Sequence, residues 1–459
     1  MEGPPLDLIT SNPREIALVV LFHFRDRDTD ATYLLHDLLR RGGAHGADAR
    51  LATEVTLGVL RQRSRLDAVL ETLTKRSWKR TPAIVQDLLR LGAYQMLFLD
   101  RIPPHAAVNE TVNLARQWAT LGQASLVNAV LRRISQSPPS LPWGTAPEAL
   151  DEADWPLFYS HPPWLVQYFL FHFPSDQVAA LLEWDNQAPK LMLRANLLRT
   201  TVEQLAARLT QAGLEVARAG WPAPETVTLS GTIGDATASD WFNEGLATVQ
   251  DGAAQLIAHF VAPRPGERIF DWCSAPGGKS THLAELSNDG AEILALDVDS
   301  ERLSQVAIQV ERLRLRSVRT ELLNPGAAER LAADPAHAVL VDAPCTGLGT
   351  IQRHPDIRWR RRFKDIERMA QRQLEILETA AQCVATRGRL IYSTCTLGPV
   401  ENEQVIDEFL TRHPEFQRAG VGDASPIVRP FLDERGDLHT WPPEHGLDGF
   451  YAAKLIRKV

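Results

Sequence analysis

Residues 268–280 read Arg268-Ile269-Phe270-Asp271-Trp272-Cys273-Ser274-Ala275-Pro276-Gly277-Gly278-Lys279-Ser280, and their reading decides the fold. A short apolar run at 268–271 ends in an acid, a glycine-rich turn follows, and a helix is expected to begin near Ser280. Such a turn brings bare backbone N–H groups to a helix N-terminus, where a ligand can approach closely. Outward from it, apolar runs at 293–297, 338–342 and 390–394 alternate with helical stretches. Strands separated by helices predict a parallel, doubly wound sheet, a Rossmann-like α/β domain. The second strand ends at Asp297, 18 residues beyond Lys279. That is close to the ~20-residue offset at which an acid meets ribose hydroxyls in nucleotide-binding sheets, so an adenosine-containing ligand fits.

Two other nucleotide signatures are excluded. Gly278-Lys279-Ser280 imitates the end of a P-loop, but that motif needs glycine where Cys273 stands. The dinucleotide pattern G-x-G-x-x-G is missing as well, which argues against NAD or FAD.

The chain has four cysteines, Cys273, Cys345, Cys383 and Cys395, none in C-x-x-C spacing. In so long a chain they read as reduced thiols, with neither a disulfide framework nor a metal site. Cys383 falls on a helical stretch and reads as a small apolar filler. The other two late cysteines are placed differently: Asp342-Ala343-Pro344-Cys345 follows one strand and Ser393-Thr394-Cys395-Thr396 another. The carboxyl ends of the strands in an open α/β sheet form one ligand-binding rim, so both thiols are expected to face the crevice that takes the adenosine. Two thiols at one rim suggest covalent chemistry.

A length of 459 residues predicts two or three domains. The apolar share of 44% and charged share of 23% are those of a folded soluble protein. The apolar run at 16–22 is far short of the ~20 residues a membrane helix needs, and no cleavable leader precedes it, so no membrane partner and a cytoplasmic location are expected. The net charge of −8 hides a gradient, since residues 1–140 carry 18 Lys and Arg against 14 Asp and Glu. A second basic cluster, Arg358, Arg360, Arg361, Arg362 and Lys364, reads by itself as a solvated helix face.

From Pro13 to about Ser135 the pattern is helical, as in Leu66, Val69, Leu70 and Leu73 or Val85, Leu88, Leu89 and Leu91. Breaks are expected at Gly42-Gly43, Thr81-Pro82, Ile102-Pro103-Pro104 and Gly122. The prolines of 137–142 predict a stiff linker. Residues 150–260 are mixed, with helices expected near 164–171 and 202–212 and a strand at 190–195. The expected domains are thus an all-α bundle at 1–140, a small α+β intermediate region at 141–260, and the α/β domain at 261–459. The absence of a long coiled-coil pattern points to a monomer.

The assembled motifs resemble those of the bacterial 16S ribosomal RNA cytosine-5 methyltransferases that carry a NusB-like N-terminal domain, over nearly the whole chain. The resemblance is carried by Asp271 to Lys279, Asp297, Asp342 to Cys345 with Thr346-Gly347, Arg353-His354-Pro355-Asp356, and Thr394-Cys395 with Glu401-Asn402. In the front part it is carried by 91–95 and 127–133, and between them by 160–165 and Val249-Gln250-Asp251.

It implies an S-adenosylmethionine-dependent enzyme acting on 16S ribosomal RNA. Cys395 would add to carbon 6 of cytosine, Cys345 would help the carbon-5 proton leave, and Asp342 would hydrogen-bond the ring near N3. The matched donor positions are Cys273, Ser274, Ala275, Pro276, Gly277, Gly278 and Lys279 around the methionine end, Asp342 beside it, and Asp297 at the ribose. One departure stands out. The family ends its third strand with Gly-Asp, where this chain reads Leu322-Leu323-Asn324-Pro325, leaving an uncharged Asn324 at the adenine edge.

Two other classes remain to be weighed. A non-enzymatic NusB-like RNA-binding factor with a decayed methyltransferase domain would dock RNA through Arg61, Arg63, Arg65 and the cluster at 75–80, but it leaves the matched cysteine pair without a purpose. A redox or hydrolytic cysteine enzyme would need a paired histidine. The nearest by motif, His354, lies among arginines.

Overall fold

In a computed structural model, residues 3–25, 30–74, 78–137, 150–230, 236, 239–324 and 326–459 are described. The chain divides into two compact units, Met1–Ala188 with Ile351–Arg362 and Pro189–Thr350 with Phe363–Val459.

The front of the first unit, up to residue 136, holds seven α-helices among the described residues, Pro13–His23, Ala31–Gly42, Gly46–Arg61, Arg63–Leu73, Ala83–Phe98, Pro104–Trp118 and Leu121–Gln136. Their starts follow local chemistry. Asn12 caps the first helix by accepting from the Arg14 N–H at 3.0 Å, with Pro13 at the first helical position. Thr120 and Gln123 form a reciprocal capping box, so the last helix begins at Leu121 and Gly122 lies inside its first turn rather than at the break. The expected stripes are buried, with Leu66, Leu70, Val85, Leu88, Leu89 and Leu91 in one core. The predicted linker at 137–142 lies outside the described residues from 138 on, as do residues 75–77 of the basic cluster.

The segment Ile351–Arg362 corrects the reading of the second basic cluster as a solvated face. Arg358 is fully buried, and its guanidinium donates to the Ser160 carbonyl at 3.1 Å, the Asn186 side chain at 3.0 Å and the Asp185 carbonyl at 3.0 Å. Burial lowers its pKa to about 9. The arginines offered as RNA contacts are turned to the same internal purpose. Arg61 donates to the Gln352 carbonyl at 3.3 Å, Arg63 lies 5.4 Å from the Trp359 ring centre, and Arg65 donates to the Phe158 carbonyl at 2.7 Å. Arg362 is exposed, as the simple reading expects.

The second unit holds twelve strands among the described residues. β1 (Leu191–Ala195), β2 (Glu215–Ala219), β3 (Thr226–Ser230) and β4 (Ala247–Val249) form an antiparallel sheet in the order β2-β3-β1-β4, packed on the helix Val202–Gln211 through Leu205 and Leu209. The larger sheet contains β5 (Arg268–Trp272), β6 (Glu292–Asp297), β7 (Val318–Leu322), β8 (Ala336–Asp342), β9 (Val384–Thr394), β10 (Phe416–Arg418), β11 (Leu438–Thr440) and β12 (Phe450–Arg457). Its order is β10-β12-β9-β8-β5-β6-β7, with β11 paired to β12.

The strands from β7 to β9 are parallel, as the alternation predicts, but β12 pairs antiparallel with β9, Ala453 facing Tyr392, so the sheet is mixed. Alternate residues serve opposite faces. Ile269, Leu340 and Ile391 pack with Leu256 and Leu283, whereas Phe270, Val339, Val341 and Tyr392 pack with Leu377 and Phe409. Burial on both faces is why these strands read as continuous apolar runs. The sheet grows from β5 toward β7 on one side and resumes at β8 on the other, a switch point whose crevice lies beyond the strand ends.

Candidate active site

β5 runs directly into the glycine-rich turn. Cys273 leaves the strand with φ +67°, and Gly277 caps the helix Gly278–Leu286 at φ +101°. A methyl group on Gly277 would stand 3.1 Å from the backbone of Val306, so both the dihedral and the close approach require glycine. The turn is tied to β6 on its other side, where the Ser274 N–H donates to the Leu296 carbonyl at 2.8 Å and the Ala275 N–H to Asp297 at 3.3 Å.

Three carboxylates surround the turn. Asp271 is fully buried, accepts from the Ser280 hydroxyl and leaves its other oxygen without a hydrogen bond; burial raises its pKa to about 7. Asp297 is buried and accepts from the Asp299 N–H at 3.0 Å. Asp342, at the end of β8, accepts from Lys279 Nζ at 2.6 Å and from Ser393 Oγ at 2.9 Å. Burial, and then the negative field of Asp297, Asp342 and Asp271, pushes the Cys273 thiol up to about 12, which keeps it protonated. Burial pulls Lys279 down, but Asp342 and then Cys395 more than offset this, and its pKa stays above the ordinary lysine value.

The two thiols meet. Cys345 Sγ and Cys395 Sγ are 3.4 Å apart, and both cysteines are free. The hydrogen bond to Cys395, followed by burial, raises the Cys345 thiol well above its usual range. Cys383, the third late cysteine, is buried just past the helix Phe363–Ala381 and plays no part here. Asn324 stands exposed beyond the end of β7, at the same rim, where the Leu323 N–H donates to the Asp297 carbonyl at 2.9 Å.

A buried network behind the thiols is absent from the sequence reading. Glu401 accepts from the Thr346 N–H at 2.9 Å, from the Thr346 hydroxyl, and from Gln373 Nε2 at 2.8 Å. Thr346 and Thr396, each one residue beyond a site cysteine, share a hydroxyl contact of 2.8 Å. Gln373 also donates to the Pro344 carbonyl at 3.0 Å, and Tyr392 donates to the Glu401 carbonyl at 2.6 Å. One carboxylate thus ties the loop of Cys345 to the loop of Cys395. Glu401 is visible in the sequence as part of a motif, but Gln373 lies on an ordinary amphipathic helix and gives no local signal.

No metal site was expected. Glu225, His259 and His282 do converge, but His259 Nε2 and His282 Nε2 lie 2.7 and 2.9 Å from one Glu225 oxygen. A second group, Asp30, His354 and Asp356, converges in the same way.

Among the described residues, no helix is long and apolar enough to cross a membrane.

Comparison with known proteins agrees with this architecture. Residues 258–456 match the family described as 16S rRNA methyltransferase RsmB/F, residues 11–136 the NusB family, and residues 161–234 the ferredoxin-like domain of RsmF/B-like methyltransferases. A probable ribosomal RNA small subunit methyltransferase B from Synechocystis sp. is 35% identical over 448 residues, 96% of this chain and 98% of the relative. Among solved structures, that of PH0851 superposes with a TM-score of 0.81 at 27% identity, covering 96% of this chain and 98% of the other. A methyltransferase homolog protein from Pyrococcus horikoshii gives a TM-score of 0.54 at 26% identity, covering 69% of this chain and 100% of that one.

Proposed function

The chain belongs to the ribosomal RNA small subunit methyltransferase B family, whose members are enzymes, and from that premise we propose that it methylates carbon 5 of a cytosine in 16S ribosomal RNA with Cys395 as covalent nucleophile. The observation that carries the reading is the 3.4 Å approach of two free thiols at the ends of β8 and β9, beside an aspartate held by Lys279. A site that only bound RNA would have no use for such a pair.

S-adenosylmethionine fits the turn. The carboxylates of Asp271, Asp297 and Asp342 suit a sulfonium cation, and the buried Ser274 hydroxyl and one Asp271 oxygen have no protein partner. Residues 273–279, with Asp342, would hold the methionine end, Asp297 the ribose, and Asn324 the adenine edge through a neutral hydrogen bond. When bound, the donor supplies an electrophilic methyl group and leaves as a neutral thioether.

The chain's own residues do the rest. Carbon 5 of cytosine is a weak nucleophile, so the Cys395 thiolate first bonds to carbon 6, and the electron pair displaced from the 5,6 double bond makes the ring enamine-like once N3 is protonated. Asp342 would accept a hydrogen bond from the N3 proton, taken up from solvent, and stabilise that form. After methylation, the carbon-5 proton must leave before the carbon–sulfur bond breaks, restoring the double bond and the Cys395 thiolate. Before addition the Cys345 S–H, held on Cys395, would stabilise a thiolate there; once Cys395 is bonded to carbon 6, Cys345 would release its own proton to solvent and, as the thiolate, take the carbon-5 proton, ending as the thiol beside the regenerated Cys395 thiolate while N3 gives its proton back to solvent. Because carbons 5 and 6 are covered in a stacked helix, the cytosine must be single-stranded or turned out.

Three parts divide this work, the helical bundle at 1–140, the intermediate region at 141–260 and the catalytic domain at 261–459, in a monomeric cytoplasmic protein. The test is methyl transfer from labelled donor to unmodified small-subunit RNA, followed by nucleoside analysis. Label in 5-methylcytidine supports the reading, and label in any other nucleoside or in none contradicts it.

A further inference from the structure

The geometry points to Arg194 as a positioning residue for the methyl donor, reaching from the small antiparallel sheet into the turn of the catalytic domain. Arg194 lies on β1 in the run Leu-Met-Leu-Arg-Ala and is fully buried. A buried guanidinium demands partners for five N–H groups, and each finds one. Nε and one Nη2 hydrogen donate to the two oxygens of Glu285, both at 2.9 Å. The other Nη2 hydrogen goes to Thr281 Oγ1 at 3.0 Å. Nη1 donates to the Gln250 side chain and to the Gly278 carbonyl, the latter at 2.7 Å.

The destination of these bonds matters more than their number. Thr281 passes its own hydroxyl proton to the Gly277 carbonyl at 2.8 Å, so Arg194 holds the carbonyl of Gly278 directly and that of Gly277 through one intermediary. These consecutive peptides form the entry of the helix Gly278–Leu286, and because each carbonyl is coplanar with the next N–H, holding them fixes the direction of the Gly278 and Lys279 amides. Gln250, in the segment leading from β4 to the next helix, closes over the same turn; a methyl on Gly278 would stand 3.4 Å from its amide nitrogen. Nothing in this set touches the two thiols. Arg194 therefore acts on donor affinity, and leaves the cytosine chemistry alone.

The inference rests on the donor occupying the turn at 273–279, and the test separates the two. Calorimetric titration of S-adenosylmethionine into the full-length protein gives the reference affinity. Arg194→Met/Glu285→Met removes the buried charge pair together, which avoids stranding a lone buried carboxylate. Its donor Kd is expected to rise roughly tenfold or more, with kcat at saturating donor and RNA affinity within about twofold of wild type. Thr281→Val, which keeps the side-chain volume and removes the hydroxyl that joins Arg194 to the Gly277 carbonyl, is expected to raise donor Kd about threefold, and decides the matter if the double variant does not fold. Donor Kd unchanged in Thr281→Val, or donor and RNA affinities falling together, overturns the role of Arg194 while the site reading stands. Failure of wild type to bind the donor overturns the site reading itself.

Discussion

Replacing Glu401 by alanine should cripple methyl transfer although Glu401 touches neither thiol. Its carboxylate accepts from the Thr346 N–H at 2.9 Å, the Thr346 hydroxyl and Gln373 Nε2 at 2.8 Å, all in a buried setting. Alanine strands these three donors, and each buried unsatisfied group costs about 1–3 kcal/mol, so about 3–9 kcal/mol is set against the present arrangement of the two cysteine loops. The loops relax rather than bear that cost. A displacement of ~1 Å at a reacting group lowers rate by about 10²-fold. Glutamine is a different perturbation, because its carbonyl can still accept from the two N–H groups while the Thr346 and Thr396 hydroxyls rotate to accept from the amide. The loss is then chiefly that of charge assistance, about 1 kcal/mol, or less than tenfold in rate. The assay is kcat at saturating donor and RNA, with donor affinity measured in parallel. A Glu401→Ala enzyme within threefold of wild type, or a glutamine variant as impaired as the alanine one, would refute the clamp.

Gly277→Ala places a side chain at φ +101° and 3.1 Å from Val306, a strain of about 1–2 kcal/mol that should appear as weaker donor binding in titration. Asp271 holds its proton up to about pH 7 in the folded protein, against ~3.9 in an unfolded chain. The folded state therefore binds more protons between those values, and the group's contribution to stability falls as pH rises from ~4 to ~7 and is level above. Asp271→Asn removes that slope, so unfolding midpoints should favour wild type more at pH 5 than at pH 8. Arg358→Met should destabilise by about 3–5 kcal/mol in thermal unfolding, and Arg358→Lys should not rescue it, because three acceptors lose a fixed fork of donors. Weaker RNA binding at unchanged stability would return Arg358 to a docking role.

The parts of the molecule legible in sequence are those whose meaning is local. β5 to β9 are buried on both faces, so each reads as an apolar run, and the turn announces itself by glycines at a strand end. Cys345, Cys395 and Asp342 are legible because strand ends in this sheet share one rim. β2, whose residues Glu215–Ala219 are mostly exposed, carries no comparable pattern, and the place of β12 beside β9 depends on a pairing that no nearby residue specifies. Arg194 sits unannounced in an apolar strand, and the four residues that take its five hydrogen bonds lie between 250 and 285. Arg358 is illegible for the same reason, since its acceptors at 160, 185 and 186 are far away in the chain. A charge run looks solvated until the carbonyls that bury it are known.

The central claim is that Cys395 bonds to carbon 6 and that Cys345 is needed to release it. The most direct measurement incubates Cys345→Ala protein with S-adenosylmethionine and unmodified small-subunit RNA, and looks for a protein–RNA complex that survives denaturant. The account predicts an adduct with Cys345→Ala that is scarce in wild type and lost in Cys345→Ala/Cys395→Ala. No adduct with Cys345→Ala, or one that persists without Cys395, would contradict it.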